Sequence, residues 1–362
     1  MSTRAVAMEL IVGTYEELLL GYRVNSGSNG VTIEPSFTNN AHTGCIKTVA
    51  VSPNQVYLVS GGTDETIKIH DLVSRKDYGS LTHHGGTVTD VSCHGAVHMF
   101  SGSEDGTICV WGKRWILLKT LKGHKGAVNC VAVHPSGKLA LSVGKDKTLR
   151  TWDLMKGKQA FVVNLKIASD QVVWSPNGTY YSVLQQNQIE IYKAGSGVVC
   201  CTYDFEHRVN VVEFISDSVI AIGGESEDLH LYDITKQQCL CRFTAHSNRI
   251  KALKKVESLD RDESVWLASA SSDGYLKIWA IDDLKKIDSP LRLVTDCNTT
   301  FRLTCLTFAS SEVNKAIKQP AEEGEINDQE TETKTSDKSD KVTTKKNQRG
   351  VKRKLRKQKD DT

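Results

Sequence analysis

The sequence predicts an all-β fold made of a repeated four-stranded unit, because one pattern of residue types recurs about every 40 residues. Each copy has a His, a hydrophobic run, a tight turn that contains Asp, and an apolar strand. The clearest copies start at His84, His124 and His246, and weaker copies start at His42 and His207. The step from His124 to His207 is about two periods, so one further copy is expected between them.

The three clear copies share four residue types at similar offsets. The members are His84, Ser101, Asp105 and Trp111; His124, Ser142, Asp146 and Trp152; and His246, Ser269, Asp273 and Trp279. The copy at His42 keeps Ser60 and Asp64 but has His70-Asp71 where the others have Trp, and the copy at His207 runs through Asp228 to Tyr232-Asp233. Gly-His and Trp-Asp marks with this period are typical of a WD40 β-propeller, in which each repeat builds one blade.

Strands can be placed inside a repeat from residue alternation, β-branched residues and turns. In the third repeat, residues 127–133, 139–143 and 148–152 are predicted as the first three strands. The fourth repeat has lost its His and Asp, yet the runs 172–176 and 189–192 predict a degenerate blade there. The recognisable repeats cover about residues 42–280.

The two ends of the chain predict a seventh blade. Residues 291–294 are assigned to the outer strand of blade six, and residues 302–308 to an inner strand with no repeat after it. Its partners would be the runs 10–15, 18–24 and 31–37, so that residues 8–37 and 301–308 share one blade. Joining both ends in this way removes free sheet edges. The prediction is therefore a seven-bladed propeller over residues 1–310, followed by a tail over residues 311–362.

The recurring His, Ser and Asp have the residue types of a hydrolase triad. A triad is built once, beside an oxyanion hole, whereas this set recurs in four repeats. We therefore interpret it as a structural hydrogen-bonded chain in which Asp orients His and Trp closes the end. No P-loop, metal-ligand motif or membrane-spanning stretch occurs, and the ten cysteines form no disulfide framework. We expect a protein that is not an enzyme, with no catalytic, cofactor or metal residues, no small-molecule substrate and no membrane partner.

Charge is strongly segregated although the net charge is only +3. Between Lys113 and Lys158 there are eleven Lys or Arg against two Asp. The His-bearing loops and the Asp turns should lie on one face, since their side chains meet. The cations expected on this rim are Lys125, Lys145, Lys147, Arg208 and Arg249. We predict that the rim binds an acidic peptide or RNA; the alternative is a solvated charged face.

The tail is acidic from Glu322 to Asp340 and basic after that. Few aromatic or β-branched residues occur in it, so it is predicted to be disordered. Its basic residues are Lys345, Lys346, Arg349, Lys352, Arg353, Lys354, Arg356, Lys357 and Lys359. We interpret this cluster as a nuclear or nucleolar signal or a nucleic-acid-binding arm; the alternative is a solubilising tail.

The run from His134 to Trp152, the opening Met8–Tyr15 and the segment Ser269–Gly274 resemble the p21-activated protein kinase-interacting protein 1 family. The resemblance extends from Met8 to about Phe308. It implies a non-enzymatic propeller of the nucleolus that acts in assembly of the large (60S) ribosomal subunit. It also implies negative regulation of p21-activated kinases through binding of their regulatory segment.

Two classes of function stay open. The first is an assembly scaffold with pre-ribosomal proteins as partners and ribosomal RNA as a further candidate partner, located in the nucleus and nucleolus. The second is a cytosolic or nuclear signalling adaptor that only binds and inhibits a kinase. The basic tail and the basic third repeat favour the first, and propeller rims that bind peptides favour the second.

Overall fold

The structure is a computed structural model that describes residues 7–27, 30–95, 98–259, 265–283 and 289–310. These residues form seven antiparallel sheets of four strands each, which confirms the predicted seven-bladed WD40 propeller. None of them forms a helix with the length and hydropathy that a membrane crossing needs. The tail predicted after residue 310 lies outside the described residues.

The strands follow one another with short turns. The first three are β1 (Ala7–Thr14), β2 (Leu18–Gly27) and β3 (Gly30–Asn40). Blade one contains β4 (Ile46–Val51), β5 (Tyr57–Gly62), β6 (Ile67–Asp71) and β7 (Lys76–Leu81). Blade two contains β8 (Val88–His94), β9 (His98–Ser103), β10 (Thr107–Trp111) and β11 (Leu117–Lys122), with one 3₁₀ turn at Lys113–Trp115. Blade three contains β12 (Val128–Val133), β13 (Leu139–Gly144), β14 (Thr148–Asp153) and β15 (Lys158–Asn164).

The later blades have the same order. Blade four contains β16 (Gln171–Trp174), β17 (Tyr180–Gln185), β18 (Gln188–Lys193) and β19 (Val198–Asp204). Blade five contains β20 (Val209–Phe214), β21 (Val219–Gly224), β22 (Asp228–Asp233) and β23 (Gln238–Thr244). Blade six contains β24 (Ile250–Glu257), β25 (Val265–Ser271), β26 (Tyr275–Ile281) and β27 (Arg292–Asn298), and the last strand is β28 (Leu303–Ser310). The degenerate fourth blade is thus present, and the strand expected at 291–294 extends to Asn298.

The first strands of successive blades pack side by side in a closed ring, from β4 through β8, β12, β16, β20 and β24 to β28 and back to β4. Blade seven has the order β28-β1-β2-β3. Met8 lies opposite Ser310 and Val12 opposite Leu306, so the two ends of the propeller meet in one antiparallel sheet. This confirms the predicted shared blade. The core lies between adjacent sheets, where residues such as Leu10, Ile46 and Trp266 are fully buried.

A β-bulge recurs at the start of the innermost strand. In six blades one residue is skipped in the pairing with the next strand, and the skipped residues are Lys47, Thr89, Asn129, Asn210, Lys251 and Thr304. Such a bulge leaves its residue outside the ladder and redirects its side chain. Most of these bulge residues line a central channel of about 400 Å³.

Four bulge residues connect their blade to the next one. Thr89 Oγ1 donates to the Val128 carbonyl (2.6 Å), and Asn129 Nδ2 donates to the Ser169 carbonyl (2.8 Å). The other two donors and their carbonyl acceptors are Asn210 to Ile250 (3.0 Å) and Thr304 to Ile46 (2.6 Å). A polar side chain at the bulge therefore hydrogen-bonds neighbouring blades together around the channel.

Candidate functional site

Blade three has the most regular His, Ser, Asp and Trp set. Trp152 Nε1 donates to Ser142 Oγ (2.8 Å), which lies 2.7 Å from His124 Nε2. His124 Nδ1 lies 3.0 Å from both carboxylate oxygens of Asp146. The Asp146 carboxylate can only accept, so His124 Nδ1 carries the proton and donates to it. In the neutral ring Nε2 is then the acceptor, and the Ser142 O–H donates to it.

Burial and hydrogen bonding fix the charge states of this chain. Burial lowers the pKa of His124, despite the opposing effect of Asp146. Burial alone would raise the pKa of Asp146, but the hydrogen bonds from the Lys125 N–H and from His124 outweigh it, and the pKa lies below its usual range. At neutral pH the chain therefore consists of a neutral His that donates to an ionised Asp.

The same contacts occur in blades two and six, at distances of 2.8–3.0 Å. Blade one has His42, Ser60 and Asp64 in the same arrangement. There His70, at the Trp position, bonds to Asp77 instead of Ser60 (2.6 Å). The structure therefore brings together the His, Ser and Asp of blades one, two, three and six, and in blade one the hydrogen-bonded series lacks the Trp.

The weak copy at His207 is wrong in its details. The four regular His residues lie four residues before the innermost strand, whereas His207 lies two residues before Val209 and is exposed. Phe205 lies where the regular His would be, against His230 (5.5 Å between ring centroids). Asp228 begins β22 and accepts from Arg242 (2.8 Å) and Thr244 (2.8 Å). Blade five is present, but both residues are displaced by two positions from the repeat.

The triad-like residue types have no access to a substrate. Ser60, Ser101, Ser142 and Ser269 are fully buried, and three of them already accept a hydrogen bond from Trp. A nucleophile must reach its substrate beside donors for the developing oxyanion, and these hydroxyls cannot. Among the residues that the structure describes, no three His, Cys, Asp or Glu side chains gather in the arrangement of a metal site.

The predicted rim residues lie where the His loops meet the Asp turns. The Lys125 N–H donates to Asp146 (3.0 Å), and Lys145 forms an ion pair with Glu104 of blade two (3.0 Å). Lys147 is exposed and has a left-handed backbone (φ 60°). Arg208 pairs with Asp170 of blade four (2.7 Å), and Arg249 Nε donates to Ser272 (3.2 Å). Two of the five cations are thus paired with an acid of the preceding blade.

Two further lysines join this face at the channel. Lys47 and Lys251 are bulge residues at the mouth of the channel. Burial lowers the pKa of Lys251, and the nearby charges of Arg249, Arg208 and Lys47 lower it further, against the opposing effect of Glu225. We call Lys47, Arg208, Arg249 and Lys251 the channel-mouth cations. In the described part of the chain, no carboxylate lies within ion-pair distance of either lysine.

Sequence reasoning missed Lys47 and Lys251, although a signal was present. Each directly follows the first buried residue of its innermost strand, where the four other blades with this bulge have Thr or Asn. Aligning that column of the repeat would have identified lysine in blades one and six. The nine cations of the predicted nuclear signal, from Lys345 to Lys359, lie outside the described residues.

Comparison with known proteins agrees with this architecture. The family model described as "WD domain, G-beta repeat" matches residues 33–71, 75–112, 115–153 and 237–280. Each matched segment ends at the third strand of a blade that has the His, Ser and Asp set. Blade four lies outside the matched segments, and of blade five only the outer strand β23 lies inside one; both blades lack the set.

Relatives match along most of the chain. The p21-activated protein kinase-interacting protein 1-like protein of Danio rerio is 43% identical, over 87% of this chain and 84% of its own length. The p21-activated protein kinase-interacting protein 1 of Homo sapiens is 38% identical, over 83% of this chain and 76% of its own length. The Shk1 kinase-binding protein 15 of Schizosaccharomyces pombe is 29% identical, over 87% of this chain and 88% of its own length. The chain therefore belongs to the p21-activated protein kinase-interacting protein 1 family of WD-repeat proteins.

Proposed function

We propose that this protein is a nucleolar scaffold for assembly of the large ribosomal subunit that also restrains a p21-activated kinase by direct binding. The channel-mouth cations carry the proposal. Four cationic side chains from blades one, five and six converge on one face, and two of them replace residues that elsewhere hold neighbouring blades together. An acidic segment of a protein partner is the complementary ligand for such a surface.

The kinase part of the proposal draws on the relatives. Their names describe a kinase-interacting protein in animals and a kinase-binding protein in fission yeast. The assembly part draws on the family resemblance and on the segregated charge of the chain. A basic arm after residue 340 suits a compartment rich in RNA, because Lys and Arg that neutralise phosphates release their counterions.

The channel mouth can be tested with substitutions taken from the protein's own repeat. We would make Lys47→Thr with Lys251→Asn, which are residue types found at this bulge in other blades. The pair should remove two charges without loss of folding. Lys125→Glu with Lys145→Glu tests the adjacent rim, and Lys193→Glu, on the opposite face, is the matched control. The measurement is affinity purification from nuclear extract followed by mass spectrometry.

We expect the channel-mouth and rim variants to lose pre-ribosomal proteins and the kinase, and the control to retain them. An unchanged partner set for folded channel-mouth and rim variants would contradict the proposal. Loss of the kinase alone, with no pre-ribosomal protein bound even by the unmodified chain, would favour the second candidate, the signalling adaptor.

The tail is tested separately with a chain that ends at Lys341. This chain should bind RNA more weakly, because fewer cations are left to contact phosphates. For single strands the logarithm of affinity falls with log salt at a slope of roughly −0.7 per phosphate contacted. Its salt slope should be shallower, its melting temperature unchanged, and its nucleolar signal in cells lost. An unchanged slope together with an intact nucleolar signal would make the tail a solubilising segment.

A further inference from the structure

Blade two departs from the other blades at the turn between its third and fourth strands. In blades one, three, four and five an apolar residue stands two positions after the aromatic or His residue near the end of the third strand. These residues are Leu72, Leu154, Ala194 and Ile234, and Leu72 and Ile234 are buried. The equivalent residue of blade two is Lys113, which is exposed. In blade two it is Trp115, two residues further along the turn, that packs against the core between blades one and two.

The turn itself has an unusual backbone. Arg114 (φ 59°, ψ 25°) and Trp115 (φ 60°) are consecutive non-glycine residues in the left-handed region. The hydrogen bond from the Gly112 N–H to the Ile116 carbonyl (2.8 Å) closes the turn around them. Such strain persists only where the surrounding structure holds it, and it is concentrated at functional sites.

The turn places Trp115 beside two tyrosines of blade one. The Tyr57 ring lies 5.4 Å from the Trp115 ring and 5.1 Å from the Tyr78 ring between centroids, with edge-to-face geometry in both pairs. Tyr78 is 53% exposed, so its ring is accessible to a ligand. The three rings border a cavity of about 240 Å³ that also meets Lys113, Arg114 and His98. No carboxylate lines the cavity among the described residues.

We propose that this cavity between blades one and two binds a base of single-stranded RNA. Unstacked bases are recognised by stacking on aromatic side chains, while adjacent cations contact the phosphates. The aromatic rings and the two cations supply both parts, and the absence of a carboxylate disfavours a cationic ligand. The inference deepens the proposed function and rests on it for the presence of RNA near the site.

The position of the cavity relative to Ser310, after which the basic sequence follows, supports RNA as the ligand. The Ser310 N–H donates to Gln55 Oε1 (3.0 Å), in the turn of blade one that also lines the cavity. The turns at this cavity lie at the opposite strand ends from the His loops and Asp turns. Ser310, the last described residue, therefore lies on the same face as the cavity and opposite the channel mouth, and the basic cluster follows it in the sequence.

The test measures binding of the full chain to a labelled oligouridylate at several salt concentrations. Trp115→Ala should weaken binding about tenfold, which is within the range for loss of one stacked base, and should leave the salt slope unchanged. Trp115→Phe should restore most of the affinity, because a ring remains. Lys113→Gln with Arg114→Gln should instead make the salt slope shallower.

The matched control is Phe161→Ala, which removes an aromatic residue that is 72% exposed on the outer strand of blade three. It should bind RNA like the unmodified chain. A second probe, a ribose-phosphate chain without bases, should bind all these aromatic variants equally. If Trp115→Ala does not fold, Lys113→Gln with Arg114→Gln still tests the proposal, because these two side chains are exposed.

Unchanged RNA affinity in folded Trp115→Ala would overturn the proposal. So would equal loss of affinity for the base-free probe, since that would indicate contact with phosphates alone. If Trp115→Ala loses a protein partner and keeps its RNA affinity, the cavity is a peptide site. Failure of the chain to join pre-ribosomes, with the Trp115 effect intact, would refute the assembly function and leave the RNA site standing.

Discussion

Blades three and four are neighbours with the same strand order, yet different side chains hold their strands together. In blade three the chain runs from Trp152 through Ser142 and His124 to Asp146. In blade four, Val183 occupies the Ser position and Tyr192 the Trp position. Tyr192 Oη donates to Glu190 (2.7 Å), which also accepts from Gln185 Nε2 (2.8 Å).

The comparison separates what builds a blade from what stabilises it. Blade four has all four strands without a His, Ser or Asp of the repeat, so the strand pattern and the turns are sufficient for the architecture. Either hydrogen-bonded series, that of blade three or that of blade four, can satisfy the buried polar groups of a blade. Such a series stabilises only when every member has a partner. The series of blade three therefore identifies the fold in the sequence, although a blade such as blade four forms without it.

Acid should have the largest effect, because it acts on four blades at once. Burial lowers the pKa of His42, His84, His124 and His246 in the folded protein. The unfolded chain then binds more protons, so stability should fall as the pH drops below the usual His value of 6.5. A further loss should follow below 3.8, since the Asp partners have lowered pKa values when folded.

Hydrogen exchange, compared at about pH 7.5 and about pH 5.5, checks this prediction blade by blade. Protection should decrease in blades one, two, three and six, and less in blade four, which contains no His between Gln171 and Asp204. His124→Gln removes one titrating group and should reduce the pH dependence of blade three. Equal loss of protection in blades three and four would contradict the comparison.

Asp146→Ala should have the next largest effect. It leaves His124 Nδ1 and the N–H groups of Lys125 and Thr148 without their acceptor, so we expect a loss of about 1–3 kcal/mol in unfolding free energy. Chemical denaturation followed by circular dichroism measures it. Glu206→Ala, at an exposed position in the loop before blade five, is the control and should leave the transition in place. If Asp146→Ala had the same denaturation midpoint as the unmodified protein, the hydrogen-bonded series of blade three would add nothing to stability.

Tyr192→Phe should have the smallest effect of the three. It removes one donor to Glu190 and keeps the ring that stacks on Tyr181 (5.0 Å between centroids). Glu190 retains its bond from Gln185, and we expect a loss of about 0.5–1.5 kcal/mol. The same denaturation measurement applies. A loss larger than that of Asp146→Ala would reverse the ranking of the two polar chains.

Much of the fold was predictable from the sequence, because a period of about 40 residues with His, Asp and Trp marks identifies each regular blade. The shared seventh blade also followed, since the strands left over at the two ends could pair only with each other. For blade five the prediction chose the wrong His and Asp. His207 and Asp228 have the spacing of a regular pair, but each lies two residues after the position that the repeat uses. The strand register, which the spacing alone does not give, resolves this.

The candidate sites were less predictable. The rim cations could be assigned to a face because their positions follow the repeat, whereas their partners Glu104 and Asp170 come from other blades. Lys47 and Lys251 lie near each other only because the ring closes and brings blades one and six to one channel. The aromatic cavity likewise needs Tyr57 of blade one beside Trp115 of blade two.

The shared seventh blade also sets the order of events during synthesis. β1 is made before the other strands of the propeller, yet one of its two neighbours is β28, the last of these strands to be made. Translation proceeds at roughly 5–20 residues per second, so an edge of β1 stays unpaired for many seconds. Sequence-distant pairing of this kind is slow and exposes strand edges to aggregation. The propeller therefore stays an open ring until β28 has been made, and a chaperone or an early binding partner would protect the open edge of β1 until then.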